Sequence, residues 1–191
     1  FTVGGLANWM PSFLIRYTGV EAGEAGTYFC AVTALAGLLS AIAGTVVGEW
    51  AQRRSPRGYL LAAGTSLCIA APFILGIAAA PGVWGTLAVA FGALFFVLFT
   101  LTPLYTALLN AVPASMRSSA VAFNILAIHL LGDAISPPII GTISDMTGSL
   151  AIAVATNALP VLAGGLVLLL VKPAVAAAHD AAAPAPAPEA P

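Results

Sequence analysis

The sequence has 191 residues, of which 60% are hydrophobic and 7% are charged, and its formal net charge is −1. Soluble domains carry about 25% charged residues, so this composition excludes an ordinary soluble domain and indicates a membrane protein. The weakly negative charge also argues against any electrostatic attraction to nucleic acid.

The apolar residues form runs of the length that a membrane-spanning helix needs, about 20 residues. They lack the strict alternation of a lipid-facing barrel strand, so the spans are predicted to be helices. Six spans are predicted, at residues 1–15 (partial), 27–48, 57–79, 84–112, 117–143 and 149–171. The predicted fold class is therefore all-α, a polytopic membrane bundle over residues 1–172.

The two ends of the sequence differ in character. The chain begins inside a predicted helix, without the basic region or cleavage site of a signal peptide, and we expect residues of a longer membrane protein to precede Phe1. Residues 173–191 are a low-complexity Ala/Pro tail, predicted to be disordered and cytoplasmic, which contains His179 and Asp180.

The cations predict the orientation of the bundle. One group lies on one side of the predicted spans: Arg53, Arg54, Arg57, Arg117 and Lys172. Arg16 alone lies on the other side. Because cytoplasmic loops carry an excess of Arg and Lys, the C-terminus is predicted to be cytoplasmic. Cys30 and Cys68 fall within spans and show no disulfide pattern.

In the first two spans, one polar pair and one row of small residues stand out. Asn8 and Trp9 precede Pro11, where a break in the helix would turn their polar edges inward. Small residues recur at steps of three and four in the second span, at Thr33, Gly37, Ser40, Gly44 and Gly48. Such a row lets a neighbouring helix approach closely, and it predicts a packing face.

Prolines interrupt five of the six predicted spans, at Pro11, Pro72, Pro103, Pro137, Pro138 and Pro160. Each removes a backbone hydrogen bond, so kinks or local breaks are expected near them, as in transporters whose helices bend around a cavity. The alternative is that proline is simply common in membrane helices.

The fourth span carries an aromatic face that grades into hydroxyl groups, formed by Phe91, Phe95, Phe99, Thr102 and Thr106, with Tyr105 beside it. This gradient suits an amphiphilic ligand. Aromatic residues at helical spacing are also typical of packing, and both interpretations stay open.

The fifth span contains "HLLGDAISPP", which places His129 and Asp133 one helical turn apart near mid-membrane. An acidic residue there costs on the order of 3 kcal/mol, so both groups are expected to face protein or a water-filled cavity. Histidine can change charge near neutral pH, which favours a role for His129 in proton coupling. The alternatives are a hydrogen-bonded core histidine and, for Asp133, a cap on a helix broken near Pro137. Asn124, on the opposite side from Asp133, is a weaker candidate.

Six helices with both ends in the cytoplasm resemble the C-terminal half, helices seven to twelve, of a major facilitator superfamily transporter. The segment "GEWAQRRSPRG" resembles that superfamily's cytoplasmic loop between helices eight and nine, although Gln52 stands where an acid usually precedes the arginines. Residues 112–145, "VPASMRSSAVAFNILAIHLLGDAISPPIIGTISD", resemble helix eleven of the Spinster branch, and "GGLANWMP" resembles its helix seven.

The resemblance implies a secondary active carrier that moves a lysophospholipid or sphingoid lipid by alternating access, with proton coupling. It implies that His129 lines the central cavity and that Asp133, Pro137 and Asp145 serve the gate and the cytoplasmic end of the helix, with Arg53 and Arg54 in the gating loop. The candidate substrate contacts are His129, Asn8, Trp9, Phe95, Phe99, Thr102, Tyr105 and Asn124.

The expected partners are the lipid substrate, protons, membrane lipid and the N-terminal half of the same transporter, in a monomer without a cofactor or metal. The Ala-rich composition favours a bacterial inner membrane. A carrier of small amphiphilic drugs or organic anions and a non-transporting scaffold remain alternatives. The sequence shows no nucleophile with a partner base, and an enzyme is not expected.

Overall fold

A computed structural model describes residues 1–171 of the chain, and every regular element in this range is helical. The all-α prediction is therefore confirmed. Lys172 and the predicted tail at 173–191, with His179 and Asp180, lie outside the described residues.

Nine α-helices follow one another along the described chain. They are α1 Thr2–Thr18, α2 Ala22–Arg54, α3 Gly58–Gly76, α4 Gly82–Phe99, α5 Leu101–Ala111, α6 Arg117–Ile128, α7 Ser136–Thr147, α8 Leu150–Ala155 and α9 Ala158–Leu170. The shorter elements are the 3-10 turns Ile77–Ala79 and Ala114–Met116 and the π turn His129–Asp133.

These helices group into the six predicted spans. The first three spans are α1, α2 and α3, and the last three are the pairs α4–α5, α6–α7 and α8–α9. Five of the six are long and apolar enough to cross a membrane, and α1 is shorter, with 17 residues. The second span is longer than predicted: its 33 residues extend about 50 Å, beyond an apolar layer of about 30 Å, so its polar end lies outside that layer.

Packing is uneven across the bundle. α3 lies at its centre against α2, α4 and α9, whereas α6 packs mainly against α5. Within the described chain, α6 contains no buried residue. The core lies between α1, α3 and α4, where Met10, Ile74 and Ala90 are fully buried.

The packing face predicted on α2 is confirmed in the C-terminal half of the helix. Ser40, Gly44 and Gly48 are buried. A Cβ atom at Gly44 would lie 2.7 Å from the Phe99 carbonyl oxygen, so α2 and the end of α4 approach too closely for a side chain there. At Gly37 the nearest atom would be a Leu98 methyl carbon at 3.9 Å, which is ordinary contact.

The predicted helix breaks occur in three of the five proline-containing spans. The fourth span breaks at Thr100, just before Pro103; the fifth at the π turn, before Pro137 and Pro138; and the sixth between α8 and α9, before Pro160. The first and third spans are not broken at their prolines, and a kink there stays a prediction. Pro11 and Pro72 lie inside continuous helices.

Arg57 ties the loop after α2 to the end of α9. Its Nη2 donates hydrogen bonds to the carbonyl oxygens of Leu169, at 2.7 Å, and Val171, at 2.6 Å. A cation at a helix C-terminus satisfies carbonyls that have no partner in the helix and interacts favourably with the helix dipole. Arg57 therefore joins the third span to the end of the sixth.

Candidate functional site

A cavity of about 440 Å³ lies between the start of α1, the α4–α5 junction, the fifth span and the start of α9. Its polar wall includes Thr100, Tyr105, His129 and Asp133. Apolar side chains, among them Leu67, form much of the rest. The cavity therefore combines a hydrophobic wall with a small polar edge, which is the usual composition of a site for an organic ligand.

The three helix breaks meet at this cavity. Thr100 marks the break in the fourth span, His129 begins the π turn of the fifth, and Pro160 follows the break in the sixth, and all three line the cavity. Irregular backbone at membrane depth is tolerated where it is buried in protein or lines a cavity. The breaks thus mark the part of the bundle where function is expected.

His129 and Asp133 contact each other across the π turn. The turn is closed by the Ala134 amide, which donates to the His129 carbonyl at 2.9 Å, and His129 Nδ1 lies 2.9 Å from Asp133 Oδ2. The imidazole is 67% exposed and the carboxylate 29%. With Nδ1 engaged by the carboxylate, Nε2 is the ring nitrogen left for a ligand, water or proton.

Two glycines bring α1 against the fifth and sixth spans. A Cβ atom at Gly4 would lie 2.7 Å from Asp133 Oδ1, and one at Gly5 would lie 3.0 Å from Asn157 Oδ1 and would also clash with Ile140. Asn157 is fully buried, and its Oδ1 atom has no hydrogen-bond partner among the described residues. Close helix approach through small residues therefore sets the position of Asp133 against α1.

Trp9 and Pro137 are brought together, but outside the cavity wall. Trp9 Nε1 donates to the Pro137 carbonyl oxygen at 3.0 Å, and a Cβ atom at Gly141 would lie 3.0 Å from the Trp9 ring. The indole therefore fastens α1 to the start of α7. Asn8 is exposed and donates its amide to the Gly4 carbonyl of its own helix at 2.9 Å, so a turn toward the cavity at Pro11 is not observed.

The aromatic face of the fourth span packs within the bundle. Phe95 contacts Phe91 and Phe99, with ring centroids 6.1 and 6.4 Å apart, and Phe99 is buried. Thr102 faces α2, where a Cβ atom at Gly44 would lie 3.4 Å from it. Among the predicted substrate contacts of this span, Tyr105 lines the cavity, whereas Phe95, Phe99 and Thr102 lie outside its wall.

The remaining candidates also lie away from the cavity. Asn124 is half-buried on α6. Arg53 lies 3.7 Å from Glu49, and the Arg54 guanidinium lies 3.9 Å from the centroid of the Trp50 ring. A role for these two arginines in gating stays a prediction.

The predicted position of Asp145 is corrected by the connectivity. Asp145 lies in the last turn of α7, beside the α7–α8 turn where Tyr17 Oη lies 3.5 Å from Ser149 Oγ. Tyr17 ends α1, and α2 then runs the length of the bundle to Arg54. Asp145 and the basic loop therefore lie at opposite ends, so Asp145 does not belong to the cytoplasmic end that the cations predict.

Sequence reasoning missed the π turn, Thr100 and the two α1 glycines. Pro137 and Pro138 indicated a break, but nothing in "HLLGD" distinguishes a π turn from an α-helix by spacing alone. The adjacent pair Gly4–Gly5 was a usable signal for close helix approach.

Comparison with known proteins supplies the family. The chain is 35% identical over 164 residues to protein spinster homolog 1 of Bos taurus, which covers 76% of this chain and 30% of that protein. Protein spinster of Drosophila melanogaster is 30% identical over 154 residues, covering 76% and 26%. The sphingosine-1-phosphate transporter SPNS2 of Danio rerio is 31% identical over 160 residues, covering 76% and 31%.

The chain belongs to the Spinster family. It is an integral membrane protein, and its six spans are a half of the major facilitator fold. This Spinster chain spans about 30% of the length of the relatives it matches. No family model matches it.

Proposed function

We propose that the chain is the C-terminal half of a proton-coupled transporter that moves an amphiphilic lipid, a lysophospholipid or a sphingoid lipid, by alternating access. The observation that carries the proposal is the His129–Asp133 contact on the wall of a cavity that is otherwise largely apolar. The name of the Danio rerio relative, a sphingosine-1-phosphate transporter, supports the substrate class.

The cavity suits both parts of an amphiphile. Leu67, Val97 and Ile128 offer an apolar surface to an acyl chain, and His129 and Asp133 offer hydrogen-bonding groups to a head group. Ionisable groups are energetically costly at mid-membrane, so they are rare there and usually mark a substrate or ion pathway. A small hydrophobic drug would contact the apolar surface but would offer no hydrogen-bonding group to His129 and Asp133.

Proton coupling is assigned to His129. An imidazole whose Nδ1 contacts a carboxylate can hold a second proton on Nε2, and its exposed side chain can exchange that proton with water. If the cavity opens in turn to each side of the membrane, the proton is taken up on one side and released on the other.

Alternating access is assigned to the broken spans. The π turn and the gaps between α4 and α5 and between α8 and α9 interrupt helices beside the cavity, while α3 and α9 stay fastened through Arg57. Hinge motion concentrates at a few positions of this kind. The other half of the gate is supplied by the N-terminal half of the same monomer, which we place in a bacterial inner membrane with the C-terminus cytoplasmic.

Vesicles that contain the intact transporter test the proposal. We expect a fluorescent lysophospholipid to cross the membrane faster when a pH gradient is imposed, and His129→Ala to slow transport and flatten its pH dependence. His129→Gln keeps a hydrogen-bonding group, so it retains lipid binding better than His129→Ala if the residue recognises the head group, but it loses the pH response equally.

Thr142→Ala is the matched control, because Thr142 is exposed on the same span and bonds a carbonyl of its own helix. Wild-type transport and pH profile in both histidine variants would show that His129 is a satisfied structural histidine. Movement of cationic drugs without lysophospholipid would favour a drug carrier. Movement of neither would favour a scaffold.

A further inference from the structure

A second cavity, of about 410 Å³, lies between the end of α5 and the start of α6, and we call it the α5–α6 groove. It is lined by Leu109, Arg117, Ser118, Val121, Ala122 and Ile125. Its wall is therefore apolar apart from one guanidinium and one hydroxyl. This composition suits an amphiphile with an anionic head group.

The groove continues into the cavity that contains His129, which we call the His129 cavity. Ile125 lines both spaces. Ser118, Ala122 and Ile125 recur at steps of four and three, so they share one face of α6, and His129 extends that face by one more turn. At a rise of about 1.5 Å per residue, Ile125 lies about 12 Å along the span from Arg117, and His129 about 6 Å further. One face of the fifth span therefore leads from the groove to the His129 cavity.

Arg117 is positioned by the end of α5. Its Nε donates to the Leu109 carbonyl oxygen at 3.1 Å, one of the last carbonyls of that helix, which have no partner within the helix. This bond uses one of the five guanidinium N–H groups, and the two Nη atoms carry the other four. Among residues 1–171 Arg117 forms no ion pair, and it is exposed. Its Nη atoms can therefore bind an anion bidentately, as arginine does with phosphate.

The end of the bundle that contains the groove is positively charged. Its described charged residues are four arginines and one glutamate, which give a formal charge of +3: Arg53, Arg54, Arg57, Arg117 and Glu49. The described charged residues of the opposite end are one arginine and three carboxylates, which give −2: Arg16, Glu21, Glu24 and Asp145. Arginines near a membrane surface attract anionic lipids, so the groove lies at the end that such a lipid favours.

We infer that the α5–α6 groove is an access site, in which an anionic lysophospholipid is held by its phosphate at Arg117 as it passes between the adjoining leaflet and the His129 cavity. The inference rests on the proposed lipid transport and names the route by which the lipid reaches the cavity. The acyl chain lies along Leu109, Val121 and Ile125, and the head group stays near the membrane surface. Inorganic phosphate would gain nothing from this apolar wall, so the whole groove fits a lipid.

Photolabelling of the intact transporter tests where the lipid binds. The transporter is placed in phosphatidylcholine nanodiscs, which add no net charge, with a lysophosphatidylglycerol that carries a diazirine in its acyl chain. Mass spectrometry identifies the labelled residues, and we expect them at Leu109 and within residues 118–125. A monoacylglycerol with the same diazirine chain lacks the phosphate, so we expect it to label the groove about fivefold less.

Arg117→Gln removes the charge and keeps a hydrogen-bonding side chain. We expect it to lower labelling of the groove by the lysophosphatidylglycerol about fivefold and to change labelling by the monoacylglycerol less than about twofold. Arg53→Gln is the matched control, because it removes the same charge at the same end of the bundle, outside the groove. Size-exclusion chromatography establishes that each variant is folded.

Ala122→Phe tests the route without changing any charge, and it decides the question if Arg117→Gln fails to fold. Ala122 lines the groove but not the His129 cavity, so the added ring fills the groove alone. We expect loss of groove labelling and slower lysophospholipid transport in vesicles. Leu126→Phe is the control, since Leu126 is exposed on the same helix and lines neither space.

The outcomes separate this inference from the proposed function. Equal labelling of the groove by both lipids, or unchanged labelling in Arg117→Gln, would remove the phosphate contact. Lysophospholipid transport without any groove labelling would indicate that the N-terminal half covers the groove, and a wild-type rate in Ala122→Phe would assign the groove to a lipid of the surrounding membrane. Either result would overturn the access site and leave the proposed function standing. Groove labelling without lysophospholipid transport by the wild type would overturn both.

Discussion

The contact between α2 and the end of α4 makes a sharp prediction about Gly44. Replacing Gly44 with Ala places a methyl carbon 2.7 Å from the Phe99 carbonyl oxygen and 3.4 Å from Thr102. The first of these atoms is backbone, so it cannot move aside as a flexible side chain would. Gly44→Ala therefore forces α2 and α4 apart.

Gly37 supplies a matched control on the same helix. The same substitution there meets a Leu98 methyl carbon at 3.9 Å, which is ordinary van der Waals contact. Both substitutions gain about 1 kcal/mol from the higher helix propensity of Ala. Overpacking at Gly44 alone costs about 1–3 kcal/mol, so Gly44→Ala is expected to be less stable than Gly37→Ala by about 1–3 kcal/mol.

Thermal unfolding of the intact transporter in detergent measures that difference. If about 2–4 °C corresponds to 1 kcal/mol, as in soluble domains of 150–250 residues, Gly44→Ala should unfold about 2–12 °C below Gly37→Ala. The ratio of folded to aggregated protein after heating, read by size-exclusion chromatography, gives the same ranking. Equal midpoints for the two variants would refute the close approach of α2 to Phe99.

Three further predictions concern topology and helix anchoring. In a variant without native cysteines, single cysteines at Gly23 and Ser55 should label from opposite sides of the membrane, because α2 runs between them, and labelling from one side would contradict the fold. Arg57→Gln should lower the free energy of unfolding by about 1–3 kcal/mol through the loss of two bonds to the end of α9, while Arg53→Gln, an exposed control, changes it by less than about 0.5 kcal/mol. Trp9→Phe should lower the free energy of unfolding by about 1 kcal/mol in the same assay, because it removes the hydrogen bond from Trp9 Nε1 to the Pro137 carbonyl oxygen. An unchanged midpoint would show that water replaces the indole as the donor.

The length of the apolar runs predicted the fold at the level of spans, because the bilayer requires helices of about that length. It could not predict where each span is interrupted. Pro11 and Pro72 carry the same chemistry as Pro103 and Pro160, yet the first two lie in continuous helices. A proline alone does not determine whether its helix is interrupted, because the outcome depends on tertiary contacts around it.

At the candidate site, too, the sequence predicted which residues share a helix face but not which surface that face meets. The spacing of His129 and Asp133 predicted one face of a helix, and the two side chains do contact each other. Phe95 and Phe99 have equally regular spacing, yet they pack inside the bundle, since an aromatic row looks the same in sequence whichever surface it meets. Thr100 carried no signal, because its place on the cavity wall depends on a break in its own span.

The π turn fixes how insertions and deletions act in the fifth span. An i→i+5 bond, here between the Ala134 amide and the His129 carbonyl, contains one residue more than an α-helical bond. Deleting Leu130 or Leu131 would restore α-helical bonding with one residue fewer in the turn, so the helices on either side would keep nearly the same orientation. Arg117 and the exposed apolar face of α6 would stay close to their present positions, whereas His129 and Asp133 would lie three positions apart and the geometry of their contact would change. Related chains that lack the extra residue should therefore keep the outer surface of α6 and differ at the cavity wall.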